Sequence, residues 1–233
     1  MNIENMSQNN ENRRREEIRE KMENMANYID SLSDDEIITM ATDMLDDLGL
    51  TLDDLKNKKV VDLGSATQII ERAATIKDSG EVLSVDKRDY VLSKRPDVKR
   101  GIVADIRQGV PQIADSSIDL LIAHAGPPAI SAVSRNKEDF DFSLKEVLRM
   151  LKTGGEARIS PLFFYFIKEK YKRYEELHQK NPKDWTDDER KEELILVSRI
   201  EDESLKYLQG MGLNVVAGKN KRSGWSSYGI IKK

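Results

Sequence analysis

Between Lys59 and Ser160 the chain alternates short β-branched runs with helix-forming stretches, and most of the runs stop at a polar residue. Val60-Val61-Asp62-Leu63 leads to Gly64, the run over 81–85 stops at Asp86, and that over 101–104 stops at Asp105. The run over 118–123 stops at His124, and Ala157-Arg158-Ile159-Ser160 is a fifth. Helical stretches over 67–77, 88–94 and 142–151 fall among them, the last closed by Thr153-Gly154-Gly155. This alternation predicts a parallel sheet with helices on both faces and right-handed crossovers. Ligands of such sheets bind outside the carboxyl ends of the strands. Asp62, Asp86, Asp105 and His124 all fall at such ends, so four polar residues are expected on one rim.

The flanking segments read as additions to that unit. Residues 1–57 form a polar helical extension, and 58–233 form the main domain. Ile18, Met22, Met25, Ile29 and Leu32 recur at alternating steps of four and three, which sets them on one helical stripe. Two heptads are few for a coiled coil, so the stripe is expected to dock on the main domain, with homodimer or partner-protein contact as its other use. Ser33-Asp34-Asp35-Glu36 has the form of a capping box and opens a helix through Leu48, and Thr51-Leu52-Asp53-Asp54 is a shorter start.

Beyond the fifth strand, Leu162 to Lys180 reads as one long charged helix, interrupted at Asn181-Pro182. Thr186-Asp187-Asp188-Glu189 opens another helix to about Leu208, and two strands over 213–217 and 226–231 end the chain. Residues 162–185 exceed what a return helix needs, and are expected to cover an acceptor pocket or to meet a partner. The last loop carries Lys219, Lys221, Arg222 and Trp225, which suits an anionic acceptor; a solvated turn is the plainer reading.

Composition narrows the chemistry. The 233 residues are 38% hydrophobic and 34% charged with a net charge of -4, which suits a soluble protein and does not favour general nucleic-acid binding. The absence of cysteine removes disulfides, zinc–thiolate sites and cysteine nucleophiles, and two distant histidines make a metal centre unexpected. No apolar run approaches the roughly 20 residues of a membrane span, and residues 1–20 lack the apolar core of a signal peptide. The expectation is a cytoplasmic protein.

The first strand, its turn and its helix make a unit that cradles a cofactor. A tight glycine turn brings backbone N–H groups close to the ligand, and a helix N-terminus favours a carboxylate or phosphate. An acid ending the second strand then binds ribose hydroxyls. Asp86 lies 86 − 62 = 24 residues after Asp62, near the spacing of about 20 that this role requires.

These segments resemble the class I S-adenosylmethionine-dependent methyltransferases, as a Rossmann-like methyltransferase domain of the type 11 kind. Val60-Val61-Asp62-Leu63-Gly64-Ser65-Ala66-Thr67 is similar to their first motif, and Val85-Asp86 to their ribose-binding acid. Ala104-Asp105-Ile106 is similar to the segment bracketing adenine, and Ser116 to Ile122 to the fourth strand with its lead-in. The stretch from Glu146 to Gly155 resembles the turn before the fifth strand, with Thr153 in place of the family's proline. The resemblance implies an α/β fold of seven strands in the order 3-2-1-4-5-7-6, the last antiparallel, with S-adenosyl-L-methionine as cofactor. It also implies roles. Asp62, Gly64, Ser65 and Ala66 would border the methionine part, Asp86 and Lys87 the ribose, and Asp105 and Ile106 the adenine. His124 would stand beside the reacting methyl group as the catalytic candidate.

Plainer readings accompany each residue: Asp62 and Asp105 as turn formers, Asp86 as the cap of a following helix, His124 as a pocket wall. The family's second and third glycines are replaced by Ala66 and Gln68. Ala66 is tolerable if its φ stays negative, whereas Gln68 would crowd the cofactor carboxylate or donate to it. Gly126-Pro127-Pro128 lacks the polar and aromatic partners of the amino-methyltransferase loop, and reads as a rigid loop. Methyl transfer to an unidentified acceptor is therefore expected; the alternative is a catalytically degenerate member acting as a binding or regulatory subunit. A nicotinamide oxidoreductase is disfavoured because the turn does not match G-x-G-x-x-G.

Overall fold

The computed structural model describes residues 3–89, 101–129, 131–162, 164–168, 170–219 and 227–233. These residues begin with α1 (Ile3–Asp30) and α2 (Asp34–Asp46), followed by β1 (Lys59–Leu63), α3 (Ile69–Ile76), β2 (Glu81–Asp86) and β3 (Ile102–Val103). Then come β4 (Ile118–His124), α4 (Ser131–Ser134), α5 (Lys137–Met150) and β5 (Leu151–Ser160). The last part comprises α6 (Tyr165–Lys168), α7 (Lys172–His178), α8 (Asp187–Gly210), β6 (Asn214–Lys219) and β7 (Ser227–Lys232). The strands form one sheet in the order β3-β2-β1-β4-β5-β7-β6. β1 pairs in parallel with β2 and β4, and β4 with β5, while β7 runs antiparallel to both β5 and β6. The expected strand order and antiparallel last strand are both present.

Side-chain alternation on the central strands builds a core on each face. Val61, Leu63, Leu121 and Ala123 face one core with Phe140, Leu144 and Val147 of α5 and with Leu196 and Ile200 of α8. Val60, Leu120 and Ile122 face the other, with Ile70 and Ala73 of α3 and Ile37, Ala41, Leu45 and Leu48 from the N-terminal extension. Each large aliphatic side chain buried in this way is worth roughly 1.5–3 kcal/mol. α2 therefore covers the sheet as one of its own layers. Its capping box is formed: Ser33 accepts from the Glu36 amide, and Glu36 accepts from the Ser33 amide at 2.9 Å. Arg72 of α3 fastens the end of α1 by donating to the Ile29 carbonyl at 2.8 Å and to Asp30 at 3.3 Å. Of the α1 stripe, Ile29 is buried, whereas Ile18 and Met25 are exposed.

The structure departs from the sequence expectations in several elements, among them α5, which starts at Lys137 and not at Phe142 because Asn136 caps it. The helix expected over 162–180 is two short helices, α6 and α7. Tight bonds from Lys170 N to Ile167 O and from Tyr171 N to Lys168 O close the first. Tyr171 then leaves helical geometry, and its hydroxyl donates to Glu203 of α8 at 2.6 Å, so a tertiary contact overrides local propensity. The fifth strand begins at Leu151, not Ala157, and takes in the Gly154-Gly155 turn. Gly154 N donates to Lys233 O and Lys233 N to Gly155 O, so the end of the chain recruits the turn into the sheet. The expected helix over 88–94 extends beyond the described residues. Lys221, Arg222 and Trp225 of the last loop lie outside them, as does the side chain of Lys219.

Candidate functional site

The turn leaving β1 is fixed by its neighbours. Gly64 has φ +74, and its N–H donates to Val85 O at 2.7 Å. A Cβ at Gly64 would lie 2.8 Å from Pro127 Cδ and 3.0 Å from Gly126 Cα, so only glycine fits. Ala66 has φ 48 and Gln68 φ 57. The negative φ on which tolerance of Ala66 was expected to rest is not found. Both residues keep the left-handed backbone that glycine would adopt without penalty, at a cost of roughly 1–2 kcal/mol each. Gln68 is fully buried and its amide donates to Glu71 Oε2 at 2.6 Å.

The ends of β2 and β3 repeat one local arrangement. Asp86 Oδ1 accepts from the backbone N–H of Arg88 at 2.9 Å and from its Nε at 3.2 Å, while Oδ2 accepts from Ala66 N at 3.3 Å. Asp105 Oδ1 accepts from Arg107 N and from Arg107 Nε, each at 3.0 Å. The Arg107 side-chain hydrogen bond holds the Asp105 carboxyl below its ordinary range against the opposing effect of partial burial. The short Asp-x-Arg pattern at a strand end, found at 86–88 and at 105–107, is the signal that would have found the two arginines.

Asp62 lies deeper. It is 2% exposed, and its Oδ2 is buried without a hydrogen-bond partner, as is Ser65 Oγ. Burial pushes the Asp62 carboxyl up to about 7, with the charges of Glu71 and Asp86 adding to the rise. A buried carboxyl lacking a donor is costly as an anion and takes a proton instead.

These elements enclose a cleft with about 510 Å³ of empty space, part of it open to solvent. Gly64, Asp86, Lys87, Asp105 and Ile106 line it, joined by Arg88 and Arg107, and Ala125, Gly126 and Pro127 close its far wall. Asp62, Ser65, Ala66 and His124 adjoin the cleft without lining it. His124 instead faces the N-terminal extension, its Nε2 being 2.9 Å from Asp47 Oδ2. The Gly126-Pro127 segment, read from the sequence as a rigid loop, packs over the β1 turn, where a Cβ at Gly126 would strike the Leu63 carbonyl.

No protein-family model matches this sequence, and no curated protein matches it. Solved structures do. One is a Methanococcus maripaludis protein with a provisional assignment as an S-adenosyl-L-methionine-dependent methyltransferase; the TM-score is 0.53 at 17% identity, over 92% of this chain and 93% of that one. Another is the plantazolicin methyltransferase BpumL in complex with S-adenosylhomocysteine, with a TM-score of 0.52 at 11% identity over 92% and 90%. Combined with the strand order, this likeness decides the architecture. The fold is that of the Rossmann-like methyltransferases. In that fold the cleft lies where β1 and β4 diverge, the switch point at which doubly wound sheets hold ligands.

Proposed function

We propose that the chain is an S-adenosylmethionine-dependent methyltransferase whose cofactor occupies the cleft between the ends of β1, β2 and β4. The observation that carries this reading is the buried, unpartnered Asp62 Oδ2 beneath a glycine turn that admits no side chain. An orphaned acceptor of this kind calls for a donor from outside the chain, and the α-ammonium of the cofactor is one.

The residues would divide the ligand among them. Asp62 and the Ser65 hydroxyl would meet the amino-acid end across Gly64. Asp86 would bind the ribose hydroxyls, exchanging its bond from Ala66 N or Arg88 for theirs, with Lys87 at its side. Asp105 and the Ile106 backbone would border the adenine, with Arg107 keeping the carboxylate ionised. When bound, the cofactor supplies an electrophilic methyl group on a sulfonium. The chain's own contribution is alignment and exclusion of water, which together can lower a barrier by several kcal/mol. Residues 162–185, anchored by the buried Tyr174 and Leu177, would bound the acceptor side.

Thermal-shift measurement with S-adenosylmethionine, S-adenosylhomocysteine and NAD tests the reading. Either adenosyl ligand at 100 times its dissociation constant should stabilise the fold by about 2.7 kcal/mol, and NAD should not. Stabilisation by NAD alone, or by none of the three, overturns it.

A further inference from the structure

We propose that Asp47, from the N-terminal extension, is the positioning residue for His124, and that the pair takes the proton from the methyl acceptor. The proposal rests on the methyl-transfer reading above and adds to it the class of acceptor: a hydroxyl or an amine that must lose a proton as it is methylated.

The position of His124 follows from strand register. Asp62 pairs with Ile122 across β1 and β4, and residues two apart on a strand share a face. His124 therefore stands on the face of Asp62, one step nearer the rim, and the residues after it, Ala125 to Pro127, wall the cleft. Its ring is partly exposed, with a side-chain exposure of 24%. Nε2 is 2.9 Å from Asp47 Oδ2, and a carboxylate can only accept, so Nε2 carries a proton and, in the neutral ring, Nδ1 is the atom left with the lone pair. An acid that fixes the tautomer of a histidine and faces the imidazolium it becomes is the recurring construction of a general base.

The mount of Asp47 is rigid without this hydrogen bond. Leu45, Leu48 and Leu50 on either side of it are buried in the sheet core. Leu48 O accepts from Arg158 Nη1 of β5 at 3.3 Å. Gly49 has φ +64 and lies so close to Tyr228 that a Cβ would overlap the phenol hydroxyl. Docking of α2 thus has ample support from packing, and the polar pair at the rim serves something else. Asp47, the residue that ends α2, is the charged group bonded to His124; Asp62 of β1 and Arg158 of β5 both lie opposite Ile122, two residues before it, and Arg158 is engaged by Glu156 and by the Leu48 carbonyl.

The step balances as follows. The acceptor X–H gives its proton to His124 Nδ1 while its lone pair forms the X–C bond. The carbon–sulfur bond breaks with its electron pair going to sulfur. The products are the methylated acceptor, a neutral thioether and an imidazolium facing Asp47, which returns its proton to water.

The test uses the full chain, ¹⁵N-labelled on histidine, whose two rings, His124 and His178, are told apart with His178→Ala. S-adenosylmethionine ¹³C-labelled at its methyl group is the probe. In the saturated complex, a nuclear Overhauser effect should connect that methyl group to the His124 ring, and the ring nitrogens should report the Nε2–H tautomer. Asp47→Ala should give a tautomer mixture while S-adenosylhomocysteine binds within about twofold of wild type. The first two readouts come from unmodified protein and stand even if Asp47→Ala fails to fold. A bond that merely tied α2 to the sheet would give no contact with the methyl group. Saturable binding without that contact, or an unchanged tautomer in Asp47→Ala, overturns the dyad and leaves the methyl-transfer reading intact. Failure of the probe to bind overturns that reading first, before either ring is examined.

Discussion

The amide of Ala66 donates to the Asp86 carboxylate at 3.3 Å, so the turn after β1 is tied to the end of β2 by the group proposed to hold the ribose. Asp86 thus has two tasks, which its variants should separate. Asp86→Ala loses the acceptor for Ala66 N and for Arg88 as well as for the ligand. Asp86→Asn keeps one oxygen and loses the charge. Charged hydrogen bonds are worth roughly 1.5–3 kcal/mol, so both should weaken S-adenosylhomocysteine by about 10- to 150-fold in calorimetry. Asp86→Ala should in addition lower the melting temperature. Equal affinity in wild type and Asp86→Asn would remove the carboxylate from the site.

Asp62 makes the fold sensitive to pH. In the folded chain its carboxyl is pushed up to about 7, mainly by burial, against an ordinary value of 3.8. Between those two values the folded state holds a proton that the unfolded state has lost. Its contribution to stability is therefore fully present below pH 4, falls as pH rises and levels off above 7. At about 1.4 kcal/mol per pH unit, the loss across that window is on the order of 4 kcal/mol. Asp62→Asn cannot ionise. The stability of wild type relative to Asp62→Asn should decline from pH 4 to pH 8 by about that amount in urea titrations. A constant difference would show that Asp62 is ionised throughout.

The same proton links to ligand binding. A cationic amine beside Asp62 favours the carboxylate, so binding should release a proton below pH 7 and tighten as pH rises toward 7. Calorimetry of S-adenosylhomocysteine in two buffers of different ionisation enthalpy would measure that release at pH 6. It should vanish in Asp62→Asn. Equal heats in both buffers for the wild type would count against contact between Asp62 and the ammonium.

The sheet was legible because it is written in local pattern. Strand β4 was expected over 118–124 and is found there, since its near-continuous apolar run marks a central parallel strand buried on both faces. The cleft was legible in part, because glycine and acid at strand ends carry their meaning locally. The Asp47–His124 pair was not, because the partners lie 77 residues apart and meet only after α2 has packed on the sheet. Nor was the break between α6 and α7, which depends on Tyr171 reaching Glu203 of α8. The φ of Ala66 also escaped the sequence, because the turn is imposed by Gly64, Val85 and Asp86 around it and not chosen by alanine.

Gly49, the one glycine in residues 1–57, should resist replacement. Gly49→Ala brings a left-handed alanine and an overlap with the Tyr228 hydroxyl together. The backbone part alone costs roughly 1–2 kcal/mol, and the clash adds to it. Tyr228→Ala in the Gly49→Ala background should relieve the clash and leave the backbone part. Chemical denaturation of the double-mutant cycle reads this as a coupling. Strict additivity of the two substitutions would show that the contact carries no energy.

Ala66 and Gln68 share a left-handed backbone yet should respond in opposite ways to glycine. At Ala66, with φ 48, glycine relieves roughly 1–2 kcal/mol of conformational cost and keeps the N–H that donates to Asp86. The greater freedom of glycine in the unfolded chain returns about 0.4–1 kcal/mol of that. Ala66→Gly should therefore stabilise by about 0.5–1 kcal/mol, or up to about 4 °C in a chain of this size. At Gln68, with φ 57, the same backbone relief is outweighed. Removing the buried amide deprives Glu71, itself 5% exposed, of the donor at 2.6 Å, and a buried carboxylate left short of a partner costs roughly 1–3 kcal/mol or more. Gln68→Gly should therefore destabilise. Thermal denaturation of both variants at pH 8 decides the matter. A Gln68→Gly protein as stable as Ala66→Gly at pH 8 would mean that the amide of Gln68 does not support Glu71.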